Sequence, residues 1–180
     1  MPTHVRPRTI FLHWCIAILM ISMLAIGLYM HRYKIYTLYP VHKSIGALML
    51  PLVVYRVGWR AFQGWIQPDY PHQLWQKIAA AVSHSLLLAL TVFIPVSGVA
   101  MSILSGRGLS IFGLSVVSQQ RDANSNLVPI SNDAAQIMHW IHFNFNYLLI
   151  IILLTHITAA AVHHFWWKDR TLEKMLTIKT

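Results

Sequence analysis

Two histidines, His142 and His156, close the stretch HFNFNYLLIIILLTH, and no charged residue lies between them. A helix turns about 100° and rises about 1.5 Å per residue, so fourteen steps return the second imidazole to within roughly 40° of the first. Along the axis the same steps cover about 21 Å, two-thirds of a hydrocarbon core about 30 Å thick. The rings therefore share one face at two depths. Imidazole is costly in hydrocarbon, and where it occurs there it marks an ion path, a proton relay or a ligand. Two stacked sites are implied.

The elements that must position these rings follow from hydropathy. The 180 residues are 56% hydrophobic and 11% charged, with a mean hydropathy of +0.53, which describes one integral membrane domain over residues 1–180. Apolar runs of spanning length lie at about 10–30, 42–62, 78–104 and 135–167 and predict an all-α, antiparallel four-helix membrane bundle. The first run has no small-x-small cleavage site and is expected to be a retained span, not a signal peptide. The long link after the third run is expected to be a loop, or to lay its LSIFGL segment flat in the interface. Cys15 is the only cysteine, so no intramolecular disulfide and no cysteine-based zinc or iron–sulfur centre is possible.

The net charge of +9 does not point to nucleic acid, because the basic residues sit at the ends of apolar runs and form no stripe with interleaved aromatics. Anionic membrane lipid is their expected partner. Nine Lys and Arg (Arg6, Arg8, Arg56, Arg60, Lys77, Lys168, Arg170, Lys174 and Lys179) lie on the side of the termini. Five (Arg32, Lys34, Lys43, Arg107 and Arg121) lie on the other, so the positive-inside rule puts both termini in the cytoplasm.

That orientation pairs the histidines by depth: His13 with His156 toward the cytoplasm, and His42 with His142 toward the outside. Taken singly, a membrane histidine is more often a packing residue. Four matched two by two on three helices ask for a common cause, and bis-histidine haem between facing helices supplies it. Zinc usually takes three or four converging protein ligands, and these converge in twos. His139 competes with His142, but it is seventeen residues from His156 and misses that face by about 100°. His84 shares the inner depth, where a haem propionate, a quinone or plain packing would occupy it. Arg56 follows His42 by fourteen residues and either neutralises a propionate or snorkels to the interface. Arg32, Lys34 and Lys43 flank His42 and would form a positive entrance for an anionic donor; lipid or propionate would call for similar charges. His163 and His164 are expected at the inner interface, with a quinone contact as the alternative, and His4, His31 and His72 read as surface residues.

The segments IFLHW, VHKSIGALMLPLVVYRVGWR and WIHFNFNYLLIIILLTHITAAAVHHFWWKDRTL resemble the bacterial cytochrome b561 family over nearly the whole chain. The resemblance implies a four-helix inner-membrane cytochrome with two haem b groups at His13/His156 and His42/His142, exchanging electrons with ubiquinone. Some relatives of this kind resemble superoxide oxidases, which pass an electron from superoxide outside to ubiquinone. The resulting expectation is an oxidoreductase linking the quinone pool to an outer partner, superoxide included. Two alternatives stand beside it: the cytochrome b anchor of a larger dehydrogenase or hydrogenase complex, and a haem-free metal or proton carrier.

Overall fold

The computed structural model describes residues 6–63 and 73–176; His4, His72, Lys179 and most of the second link lie outside them. The chain forms α1 (Pro7–Tyr33), α2 (Tyr39–Gln63), α3 (Leu74–Leu104), the short strands β1 (Leu109–Ile111) and β2 (Leu114–Val117), α4 (Asn132–Phe165) and a single turn, α5 (Glu173–Leu176). The four long helices are each long and apolar enough to cross a membrane. Pro7 opens α1, and its last turn closes on Lys34 in the left-handed conformation. A reciprocal Gln73/Gln76 capping box starts α3, and the Ser131 hydroxyl accepts the Ala134 N–H at the start of α4.

Neighbouring backbones pack closely in the order α1, α2, α3, α4, whereas α4 stands off from α1 and α2. A repeat of seven keeps side chains on one helical face with a drift of only about 20° per heptad. The four spans obey it together. At the end where the chain starts and finishes, the inward layer is His13, Arg56, His84 and His156. Seven residues along each helix come Met20, Met49, Thr91 and Leu149, all buried; Met20, Met49 and Leu149 belong to the apolar core with Met23, Leu24, Leu90, Ile94 and Ile152. Seven residues further lie Gly27, His42, Gly98 and His142. Polar layers thus occupy two depths, separated by an apolar one.

The long link departs from expectation. LSIFGL is neither a flat interfacial segment nor a simple loop but the core of an antiparallel hairpin, β1 with β2, packed on α2. Its turn residues Phe112 and Gly113 both have positive φ, the conformation whose twist matches paired strands. Two contacts seat it: Ser44 Oγ, itself donating to the Pro40 carbonyl of its own helix at 2.7 Å, accepts the Phe112 N–H at 2.9 Å, and Ser102 donates to the Gly108 carbonyl at 2.6 Å. Gly108 has φ +62°, and a Cβ there would lie 2.3 Å from the Val117 carbonyl, so only glycine fits.

At the opposite end the C-terminal segment folds back on α1, where Trp14 Nε1 donates to the Met175 carbonyl at 2.7 Å. Its anchor is Asp169, buried, paired with His163 Nδ1 and accepting the Thr171 N–H at 2.8 Å. His163 is therefore engaged with the chain itself. Burial raises the Asp169 carboxyl, but the bonds from His163 and Thr171 outweigh it and hold it below its usual range. A depressed carboxyl stabilises above its unfolded pKa of about 3.9 and loses that contribution as pH falls through the lower folded value. Asp169→Asn should cost about 1–3 kcal/mol locally. Limited proteolysis at neutral pH should then cut beyond Phe165 faster than in the unaltered chain, and acidification should reproduce the effect only below the normal carboxylate range.

Candidate functional site

The helices bring the two expected histidine pairs face to face. The His13 and His156 ring centres are 6.4 Å apart, and so are those of His42 and His142. An imidazole nitrogen sits about 2 Å from a metal it ligates, with the ring centre about 1.1 Å behind it, so two rings on opposite sides of one ion have centres about 6 Å apart. Each pair has that spacing. Among the described residues no three His, Cys, Asp or Glu side chains are grouped to hold a metal ion.

At the hairpin end His142 is held by α3. Its Nδ1 lies 2.9 Å from the Ile94 carbonyl and 3.2 Å from Ser97 Oγ, while the Ser97 hydroxyl donates to the same carbonyl at 2.8 Å. A carbonyl only accepts, so the proton is on Nδ1 and Nε2 keeps its lone pair for a metal. Gly98 makes this approach possible: a Cβ there would be 3.0 Å from His142 Cε1. Gly27 faces His42 more loosely, since a Cβ there would lie 3.4 Å from His42 Cε1, an ordinary contact, and among the described residues His42 Nδ1 is buried without a hydrogen-bond partner. A buried imidazole in that state is held for something that protein atoms do not supply. Ile94, Ser97 and Gly98 were not among the residues expected from the sequence; the signal was IPVSG, a proline, serine and glycine inside an apolar span.

At the terminal end Arg56 Nη2 lies 3.2 Å from His13 Nδ1, and the His84 ring is 5.4 Å from that of His156 with its other side exposed. Guanidinium only donates, so in this arrangement His13 accepts at Nδ1 and carries its proton on Nε2. Ligation through Nε2 would move that proton to Nδ1 and break this hydrogen bond, leaving the Arg56 guanidinium beside the ring as a charge. Among the described residues Arg56 has no carboxylate partner.

Of the remaining expected residues, His139 is exposed and stacks on Phe143 at 6.3 Å, outside the two ring pairs but an electrostatic neighbour of His142. His31 packs at a tilt against the same phenyl ring at 5.1 Å. Arg32 lies over Tyr33 at 5.9 Å, Lys34 caps α1, and Lys43 is half-buried with Nζ 3.4 Å from the Gly108 carbonyl. Lys43 therefore holds the hairpin as well as lending charge, and Arg107, its electrostatic neighbour, joins this cationic rim.

Residues 4–177 match the family described as prokaryotic cytochrome b561. The chain belongs to the prokaryotic cytochrome b561 family. It is similar to cytochrome b561 homolog 2 of Escherichia coli (strain K12), 31% identical over 170 residues that cover 91% of this chain and 86% of the relative. Cytochrome b561 homolog 1 of the same organism is 27% identical over 106 residues, 59% of this chain and 56% of the relative. As a cytochrome b561 the chain is a multi-pass membrane protein that transfers electrons through haem b, which sets aside the haem-free carrier. Gly98→Ala should drive a methyl into His142 and lower the haem bound per chain measurably; Gly58→Ala, where a Cβ meets nothing within 4 Å, should not. Pyridine haemochrome assay of the two purified variants checks this.

Proposed function

We propose that this cytochrome b561 holds two haem b groups, one between His13 and His156 and one between His42 and His142, and conducts electrons from the hairpin side to ubiquinone at the terminal side. The observation that carries the reading is the equal 6.4 Å spacing of the two ring pairs at opposite ends of one apolar core. Haem b, when bound, supplies a reversible one-electron couple. The protein's share is to orient the imidazoles, exclude water and place charge. The separation of α4 from α1 and α2 leaves room for the macrocycles, and Gly98 keeps a side chain off the His142 ring.

The excess of Lys and Arg on the terminal side supports cytoplasmic termini in the bacterial inner membrane. His84, half open to the bilayer beside His156, is the group we assign to a quinone oxygen, with Arg56 available to a propionate or to the quinone. Superoxide is the donor that the cationic rim of Arg32, Lys34, Lys43 and Arg107 suits best. Two superoxide anions each give up one electron and leave as oxygen, and one quinone takes both electrons and two protons to become quinol.

Two expected outcomes test this. His42→Ala or His142→Ala should remove one haem, and His13→Ala or His156→Ala the other, leaving one of two per chain by haem and protein quantification; a single haem in the unaltered protein would sink the assignment. For the donor, superoxide should reduce the haem at a rate that falls with ionic strength. Arg32→Glu with Lys34→Glu should slow it roughly tenfold at low salt while reduction by an added quinol stays the same. This pair spares Lys43, whose loss would also disturb the hairpin. No reduction faster than the spontaneous decay of superoxide would rule that donor out.

A further inference from the structure

The two histidine pairs stand in opposite electrostatic settings. At the hairpin end His142 Nδ1–H faces the Ile94 carbonyl at 2.9 Å and the Ser97 oxygen at 3.2 Å. Donation to a carbonyl pushes electron density onto the ring and makes its other nitrogen a stronger donor to iron, which favours the oxidised metal. At the terminal end no acceptor is placed at His13 among the described residues; a guanidinium stands there at 3.2 Å, with Arg60 as its electrostatic neighbour. A cation within a low-dielectric layer favours the reduced, less positive metal. Cations occur at the hairpin end as well, but Lys43 is turned to the Gly108 carbonyl and Arg107 is exposed, where solvent screens it. Haem propionates are common to both sites and do not distinguish them. Arg56 and the Ile94 carbonyl do.

We infer that Arg56 makes the site of His13 and His156 the higher-potential one and the Ile94 carbonyl makes the site of His42 and His142 the lower, so that electrons run downhill from the hairpin side to the terminal side. Arg56 acts here as a positioning charge that sets a potential. The inference rests on the two-haem reading above and adds an order of potentials to it.

The test is an anaerobic spectroelectrochemical titration of the full-length, haem-loaded protein. Unaltered protein should give two midpoints. His142→Ala should retain the haem that titrates at the higher one, and His13→Ala the haem at the lower. Arg56→Gln should shift only the higher midpoint downward, by an amount equivalent to about tenfold in electron distribution, or about 59 mV for one electron, and Arg56→Lys should restore most of it. A purely structural Arg56 would instead change haem content, or move both midpoints together. Equal midpoints, the reverse assignment in the single-haem variants, or a shift of the lower midpoint in Arg56→Gln would overturn the inference while the haem count stayed at two. One haem per unaltered chain would overturn the two-haem reading and this inference with it.

Discussion

An imidazole in hydrocarbon is tolerated only where something else uses its nitrogens, and the whole bundle is organised around that constraint. Residues seven apart recur on one helical face, and all four spans place a polar or small residue, a buried middle residue and a second polar or small residue in that register. The result is two polar layers about 21 Å apart along the axis with Met20, Met49, Thr91 and Leu149 between them. Everything else serves the layers. The stand-off of α4 from α1 and α2 leaves space at each, Gly98 clears the His142 ring, and the hairpin and the C-terminal segment fold over the two ends.

The ends are built differently because their surroundings differ. At the hairpin end the bonds of His142 are neutral, to the Ile94 carbonyl and the Ser97 hydroxyl, and they put its proton on Nδ1. At the terminal end the layer holds three imidazoles and a guanidinium without a carboxylate partner among the described residues, a costly arrangement inside a membrane unless an anion or an electron offsets the charge. A cationic rim that includes Lys43 and Arg107 stands at one end, and Arg56 and His84 stand beside the histidine pair at the other.

Helix spans and the four paired histidines were legible in the sequence because both depend on local periodicity, which survives without knowledge of neighbours. His142 could be preferred over His139 for the same reason; the His142 ring lies opposite that of His42, whereas His139 stacks on Phe143. The hairpin was hidden because its strands are only a few residues long and its turn uses Phe112-Gly113, not the Asn-Gly that usually signals one. Ser44, Ser97 and Asp169 were hidden for another reason: each owes its role to a partner brought close by folding, such as the Phe112 N–H, His142 or His163. Lys43 was read as an entrance charge, and only the packed hairpin shows that its ammonium is also held by Gly108.

The central claim is that two metal centres lie in the two polar layers of this register. Anomalous scattering at the iron edge from crystals of the haem-loaded protein tests it directly. Two iron positions should appear, about 21 Å apart along the bundle, one between His13 and His156 and the other between His42 and His142. A single iron, or iron at His139, His84 or His163 in place of either pair, would contradict the account.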